Sequence, residues 1–315
     1  MFASTRRLTP AAIAVPLLLM ACSGGPAAPA SVVPSPAASG AGSTELVADI
    51  DVGDRTLHLV CLGPTDTGEP TIVFESGLGG AYTAWGEILL AMQGTHRLCA
   101  YDRAGLGASP AAPEASRTAA DSAADLATLL ETSGIDGAKI LVAHSVGAWN
   151  AALYTQSQPD DVVGVVLVDP RAPGTSDALR DALPAKTADE PSSLASLRDE
   201  LGDFEMDPSL NDEHLALAES GSLVAAALDA DGPLFGDRPV VVLQGGKTTD
   251  NWADLPPDLK TTFDRIWHDG QQALADESTA GTLTVVPDSG HEIMVEDPKA
   301  VVEAIEAVLA DVASR

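Results

Sequence analysis

The stretch Lys139 to Gly147, KILVAHSVG, decides the fold because a short apolar run ends in a tight turn around a serine. The run predicts a buried strand, and the residues after Gly147 predict a helix. A serine hydroxyl is a weak nucleophile unless such a turn exposes it, with a base beside it and amide donors above it. Ser145 is therefore the candidate nucleophile.

Short apolar runs, separated by helix-like stretches, recur through the rest of the chain. The first two predict an edge hairpin, and the others predict strands buried on both faces of a mostly parallel sheet. A helix is predicted from Thr118 to Glu131, and a last one begins at Asp297-Pro298, a cap followed by a first-turn proline. The predicted strands are Leu46 to Val52, Thr56 to Leu62, Thr71 to Phe74, Arg97 to Tyr101, Lys139 to Ala143, Val162 to Val168, Pro239 to Leu243 and Leu283 to Val286.

This strand order, the AHSVG turn and a late Ser-Gly-His resemble the α/β-hydrolase fold family from about Leu46 to Arg315. The segments Tyr101 to Gly107 (YDRAGLG) and Val166 to Pro170 (VLVDP) resemble its serine esterase and epoxide-hydrolase-like branch. The resemblance implies a mostly parallel eight-stranded sheet flanked by helices, forming one domain over residues 44–315. The chain departs from the usual G-x-S-x-G at Ala143, where one methyl group replaces the first glycine.

The family pattern also implies a histidine and an acid beside the serine. His291 follows the last predicted strand, where a loop can carry an imidazole over Ser145. The acid must hold the imidazole in the correct tautomer, and two residues compete. Asp169 ends the sixth predicted strand, whereas Asp250 follows the seventh, the commoner location. Asp169 is preferred because the turn after Leu243, Gln-Gly-Gly-Lys-Thr-Thr, places Asp250 late.

Two backbone amides should stabilise the oxyanion that forms when a serine attacks a carbonyl group. The resemblance places one on Val146 and the other on Leu78, in the glycine-rich loop Ser76 to Gly80 (SGLGG). Removing one such donor typically costs about 2.7 to 4 kcal/mol of transition-state stabilisation. Asp102 and Arg103 are expected to pair with each other and to order the loops beneath the site.

Residues 171–238 form an insertion before the seventh strand, rich in Leu, Ala, Asp and Glu and interrupted by prolines. This composition predicts several short helices that form a cap. Caps of this kind usually cover the pocket and select the substrate.

The N-terminal segment predicts export. Residues 1–21 combine two arginines with a short apolar run and are interpreted as a signal peptide. The sequence before Cys22 resembles the lipobox of bacterial lipoproteins, in which the cysteine is lipidated, and the alternative is an ordinary secretory signal followed by an incidental cysteine. Residues 22–43 are almost entirely Gly, Ala, Pro, Ser and Val, a composition typical of a disordered tether. The expected location is extracytoplasmic, with the membrane contacted only through the lipid.

The two remaining cysteines, Cys61 and Cys99, lie on the second and fourth predicted strands, which are neighbours in the fold that the resemblance implies. An exported chain meets an oxidising compartment, so a disulfide between them is predicted. Metal binding by these two cysteines is disfavoured because no histidine pair lies nearby, and no cofactor is expected.

The net charge of the chain argues against some classes of binding partner. The formal net charge is −29, and no cluster of Lys and Arg could neutralise phosphates, which argues against nucleic acid and anionic lipid headgroups as partners.

The candidate site residues favour a serine hydrolase that cleaves an uncharged carboxylic ester of a small molecule through an acyl-serine intermediate. The alternatives are amide or peptide hydrolysis by the same triad, and a non-catalytic binding lipoprotein that keeps the fold.

Overall fold

The computed structural model describes residues 45–230, 232–248 and 255–315. The predicted signal peptide, the whole of the predicted tether with Cys22, and Asp250 lie outside the described residues. The strands are β1 (Leu46–Asp51), β2 (Thr56–Leu62), β3 (Thr71–Glu75), β4 (Leu98–Tyr101), β5 (Lys139–His144), β6 (Val162–Val168), β7 (Gly236–Gly245) and β8 (Ser278–Val286).

These strands form one eight-stranded sheet in the order β1-β2-β4-β3-β5-β6-β7-β8. β2 runs antiparallel to both β1 and β4, and every other neighbouring pair is parallel. The predicted fold, a mostly parallel eight-stranded sheet, is therefore confirmed. β7 and β8 begin earlier than predicted, at Gly236 and Ser278, which pair with each other. β8 lies at the sheet edge with exposed side chains, so it needs no continuous apolar run.

Helices cover both faces of the sheet. Thr118 and Asp121 cap the start of the helix Ala119–Thr132 reciprocally, and Asp297 caps the helix Pro298–Ser314, the second cap being the one that the sequence predicted. The helices are α1 (Gly86–Met92), α2 (Ala119–Thr132), α3 (Gly147–Ser157), α4 (Thr175–Ala182), α5 (Ser192–Asp199), α6 (Leu217–Leu228), α7 (Pro257–Asp276), α8 (Ile293–Glu296) and α9 (Pro298–Ser314).

Side chains of the central strands pack into two apolar layers, one on each face of the sheet. In β5, Leu141 and Ala143 pack into the layer that contains side chains of α2, α3 and α6, whereas Ile140 and Val142 pack into the layer that contains those of α1, α8 and α9. This alternation is the two-residue period of a strand that is buried on both faces. The continuous apolar run in KILVA has this cause.

The segment between β6 and β7 contains α4, α5 and α6, with short helical turns at Glu200–Phe204 and Pro208–Leu210. Leucines of α4 and α5 pack with Leu259 and Phe263 of α7 in a third apolar cluster. Within the described ranges, none of the helices combines the length and the apolar composition that crossing a bilayer requires.

A disulfide joins Cys61 of β2 to Cys99 of β4, as predicted. The two residues lie directly opposite each other in the antiparallel register, with their Cα atoms 4.1 Å apart. Both are fully buried. The bond therefore links the edge hairpin to β4, the next strand of the sheet.

Candidate active site

Ser145 occupies the turn between β5 and α3. Its φ of 53° lies in the left-handed region, which residues other than glycine rarely adopt. Its N–H donates to the carbonyl of Val168 at 3.2 Å, and its own carbonyl accepts from the N–H of Arg171 at 3.1 Å. The end of β6 thus holds the strained turn from both sides.

Gly147 lets the chain leave this turn as a helix. A Cβ atom at this position would lie 2.6 Å from the carbonyl oxygen of Ser76 and 2.8 Å from that of Glu75. No side chain fits so close to the end of β3. At the first position of the motif, by contrast, the methyl group of Ala143 is fully buried in the core.

His291 lies between the serine and an acid. Its Nε2 is 3.0 Å from Oγ of Ser145, and its Nδ1 is 2.6 Å from Oδ2 of Asp169. A carboxylate can only accept, so Nδ1 carries the proton and Nε2 is left to accept from the hydroxyl group. The structure therefore brings together the serine, the histidine and the preferred acid in one hydrogen-bonded chain.

Asp169 is completely buried and has a positive φ of 39°. Its Oδ1 accepts from Trp267 Nε1 at 3.0 Å, Gln271 Nε2 at 2.8 Å and the N–H of Gly245 at 3.0 Å. Its Oδ2 also accepts from the hydroxyl of Thr248 at 2.9 Å. These donors hold the carboxylate in one orientation.

The sequence analysis missed the side chains that support Asp169. Trp267 and Gln271 are four residues apart on α7, a spacing that places both on one helix face. That spacing was readable in the sequence, but nothing local indicated that the face turns toward the end of β6. Nothing in the sequence around Thr248 indicated that its hydroxyl group would donate to Asp169.

The electrostatics follow from burial and from these bonds. Burial raises the pKa of Asp169, but the hydrogen bond and charge of His291, with the bonds from Trp267 and Gln271, outweigh it and leave the pKa below its ordinary value. Burial lowers the pKa of His291, yet the hydrogen bond and charge of Asp169 raise it above the ordinary 6.5. The pair therefore favours an ionised acid and a basic imidazole.

His144 supports the loop that carries His291. Its Nε2–H donates to the backbone carbonyl of His291 at 3.0 Å, and the two rings lie 4.5 Å apart. Burial, and the nearby His291, lower the pKa of His144 to about 3. A neutral His144 thus braces the loop under the turn.

The loop after β3 lies against the serine. A Cβ atom built on Gly77 would be 3.2 Å from Cβ of Ser145. Gly79 N–H donates to Glu213 and Gly80 N–H to the carbonyl of Gly77, whereas the amides of Leu78 and Val146 have no hydrogen-bond acceptor among the described residues. Val146 directly precedes α3, so its amide lies at the positive end of the helix dipole, which favours negative charge.

The expected pair of Asp102 with Arg103 is wrong. The Asp102 carboxylate accepts from the amides of Tyr82 at 2.7 Å and Ala108 at 2.9 Å. Arg103 instead pairs with Glu75 and Glu213. Consecutive side chains at the end of an extended strand point in opposite directions, so the neighbours meet different partners.

One group of potential metal ligands lies at the site. His144, His291 and Glu292 each offer a ligand atom, all within 4.8 Å of one another. Both ring nitrogens of His291 already contact Ser145 and Asp169. A metal on His291 would therefore have to replace one of those contacts.

Relatives cover this chain unevenly. The efuK protein of Hormonema carpetanum, named as a probable transporter, is 25% identical over 296 residues, covering 82% of this chain and 42% of that protein. RutD of Variovorax paradoxus (strain S110), named as a candidate carbamate hydrolase, is 36% identical over 114 residues, covering 36% of this chain and 42% of that protein. The chain thus matches about two fifths of the length of these relatives.

Solved structures and a family model agree on the fold. An esterase from Thermogutta terrifontis is similar with a TM-score of 0.56 at 22% identity, over 85% of this chain and 99% of that chain. The hydrolase BphD from Rhodococcus sp. strain RHA1 is similar with a TM-score of 0.58 at 15% identity, over 85% of this chain and 99% of that chain. A model described as "Alpha/beta hydrolase family" matches residues 72–304. The chain belongs to the alpha/beta hydrolase family.

Proposed function

We propose that this protein is a serine hydrolase that cleaves an uncharged carboxylic ester of a small molecule through an acyl-serine intermediate. The observation that carries the proposal is the hydrogen-bonded chain from Ser145 through His291 to Asp169, with contacts of 3.0 and 2.6 Å. A buried acid, an oriented imidazole and a serine on a sharp strand-to-helix turn are the three parts that nucleophilic acyl transfer needs.

In the proposed reaction, Oγ of Ser145 attacks the ester carbonyl carbon while its proton passes to Nε2 of His291. The carbonyl electrons move to oxygen, and the amides of Leu78 and Val146 stabilise the resulting oxyanion. When the carbon–oxygen bond breaks, His291 returns the proton to the leaving alcohol. His291 then deprotonates a water that attacks the acyl group, and as the bond from the acyl carbon to Oγ breaks, His291 returns the proton to Ser145 and the acid is released.

Asp169 would hold His291 in the productive tautomer and stabilise its protonated form. The five groups that donate to its carboxylate support this role. Turnover of an aryl ester by Asp169→Asn and Asp250→Asn compares the two candidate acids. We expect Asp169→Asn to lose most activity, and a collapse in Asp250→Asn with a near-normal Asp169→Asn would reverse the assignment.

A fluorophosphonate probe distinguishes an enzyme from a binding protein that only keeps the fold. We expect the wild type to be labelled and Ser145→Ala to remain unlabelled, because the probe reacts with an activated serine. Absence of labelling in folded wild type would favour the binding protein. Turnover of an acyl ester and of its matching anilide then separates ester from amide hydrolysis.

We further propose that residues 171–238 act as a cap over the pocket and that the protein is exported and held at the membrane by a lipid on Cys22. The Cys61–Cys99 disulfide supports an oxidising compartment. Replacing Cys22 by serine should move the protein from the membrane fraction to the soluble fraction. An unchanged distribution would contradict the lipid attachment.

A further inference from the structure

We infer that Glu213, which lies between β6 and β7, is a positioning residue that orients the Leu78 amide toward the substrate oxygen by acting through Arg103. This inference rests on the proposed function, because it assigns a role in oxyanion stabilisation. Neither Glu213 nor the charge cluster around it was identified from the sequence.

The cluster is a buried arrangement of one cation and two acids. Arg103 is 4% exposed and donates from Nε to Oε2 of Glu213 at 2.6 Å and from Nη2 to Oε1 at 2.9 Å. Its Nη1 donates to Oε1 of Glu75 at 2.6 Å, and Tyr101 also donates to Glu75. The two-point contact between Arg103 and Glu213 fixes the plane of the guanidinium group.

The same pair holds the loop on both sides of Leu78. Arg103 donates to the carbonyl of Ser76 and, from Nη2, to the carbonyl of Gly77 at 2.6 Å. Oε1 of Glu213 accepts from the N–H of Gly79 at 2.9 Å. The peptide groups before and after Leu78 are therefore both bound, one by each member of the ion pair.

These contacts set the direction of the Leu78 amide. The Gly77 carbonyl and the Leu78 N–H belong to one planar trans peptide, so they point in opposite directions. The carbonyl faces Arg103 and the amide of Gly80, which donates to it at 3.1 Å. The Leu78 N–H must therefore point away from the guanidinium group. Rotating this peptide would break both contacts of the carbonyl.

Glu213 offers a fixed carboxylate because its own segment is pressed against the protein body. A Cβ atom on Gly105 would lie 2.3 Å from the carbonyl oxygen of Asp212. On the other side, Arg117 N–H donates to the carbonyl of His214 at 2.8 Å, and Ala216 N–H donates to that of Arg117 at 2.7 Å. The segment between β6 and β7 thus contributes a structural part of the site.

The test is Glu213→Gln in the full chain, assayed with an aryl ester. The glutamine side chain would place its N–H group against an N–H donor of Arg103, so the two-point contact with Arg103 would be lost. The orientation of the peptide between Gly77 and Leu78 would be lost with it. We expect kcat to fall about 10- to 100-fold with KM within about twofold, short of the 10²- to 10³-fold cost of deleting a donor. Affinity for a trifluoromethyl ketone, which forms a tetrahedral oxyanion on the serine, should fall by a similar factor. The pH midpoint of kcat/KM should not move.

The matched control is Glu190→Gln. Glu190 is a largely buried acid of the same segment, paired with Arg198 at 3.0 Å, and no hydrogen bond or ion pair among the described residues joins it to the Ser76 to Gly80 loop. Wild-type kcat is expected. Glu213→Asp retains the charge but is one methylene shorter, so an intermediate kcat is expected, and it decides the matter if Glu213→Gln does not fold.

Wild-type kcat and inhibitor affinity in folded Glu213→Gln, or in Glu213→Asp where only that variant folds, would overturn the inference. A raised KM with unchanged kcat would do the same, because it would make Glu213 a binding contact instead. If the wild type itself neither hydrolyses the ester nor binds the ketone, the proposed function fails first, and the two failures are distinguishable.

Discussion

Two residues of the site have backbone conformations that only glycine adopts readily. Ser145 and Asp169 account for two of the three residues other than glycine with positive φ in the described parts of the chain. They follow the ends of neighbouring strands, and the Asp169 N–H donates to the carbonyl of Leu243 at 2.7 Å. The parallel sheet itself holds both turns, so local strain is balanced by strand pairing.

The pH dependence of activity should report on His291. Only the neutral imidazole can accept the serine proton, so kcat/KM should rise as pH increases through a pKa that lies above 6.5, because Asp169 stabilises the charged ring. In Asp169→Asn the midpoint should move to lower pH, and kcat should fall by about 10⁴-fold. A wild-type midpoint below 6.5, or the same midpoint in both proteins, would contradict this electrostatic account.

At the scale of elements, the site depends on how closely α3 approaches β3. Gly147 faces the backbone carbonyls of Glu75 and Ser76, and the loop after Ser76 lies against Ser145. A displacement of α3 would therefore change the distance between the serine and the amide of Leu78. The geometry of the site therefore depends on how α3 packs against the end of β3.

Gly147→Ala should damage both stability and activity. Its Cβ would meet main-chain oxygens at 2.6 and 2.8 Å, and these cannot move independently of β3. Such overpacking typically lowers the free energy of unfolding by about 1 to 3 kcal/mol, and we expect kcat to fall as well. The control is Gly86→Ala in α1, where a Cβ would meet nothing within 4 Å. Denaturant unfolding that finds the two variants equally stable would contradict the packing argument.

The disulfide connects elements that are distant along the chain. Cys61 and Cys99 are 38 residues apart, and the loop-entropy model gives roughly 4 kcal/mol for a loop of this length. The Cys61→Ala, Cys99→Ala double variant should therefore unfold at lower denaturant concentration than the oxidised wild type. The double variant should also resemble wild type treated with a reductant, and no difference between oxidised and reduced wild type would contradict the role.

The elements predicted from sequence are those with a local signal. The runs KILVA and VVGVVLV predict their strands because burial on both faces demands continuous apolar residues. The early parts of β7 and β8 lack such runs and gain their strand structure from each other. The AHSVG turn and the Ser-Gly-His loop likewise identified Ser145 and His291 as residues that would meet.

The rest of the site required the tertiary structure. The sequence favoured Asp169 over Asp250 only through the length of the turn after Leu243, since both residues follow predicted strands. Glu213 meets Arg103 across 110 positions of sequence, and no periodicity encodes that contact. Trp267 and Gln271 share a helix face, but only the packing of α7 brings that face to Asp169.

For the whole molecule, net charge is the dominant electrostatic feature. The chain carries 17 Lys and Arg against 46 Asp and Glu, a net charge of −29. Like charges repel more in the compact state than in the extended chain, whereas buried pairs such as Arg103 with Glu213 are shielded from salt. Surface repulsion and buried attraction therefore respond differently to ionic strength.

Added salt should stabilise the protein. We expect the melting temperature to rise as NaCl increases from about 10 mM to about 150 mM, because the Debye length shortens from about 30 Å to about 8 Å. KCl should act equally, since the effect is one of screening. A fall in melting temperature over this range would show that attractive surface pairs outweigh the repulsion.

The central claim is that Ser145 becomes covalently acylated. Intact-protein mass spectrometry after rapid mixing with an aryl ester, followed by peptide mapping, tests it most directly. The account predicts one acyl group per chain, located on Ser145, with none on Ser145→Ala and far slower acylation in His291→Ala. Ester turnover by the wild type together with equal acylation of wild type and Ser145→Ala, or an acyl group mapped to another residue, would contradict it.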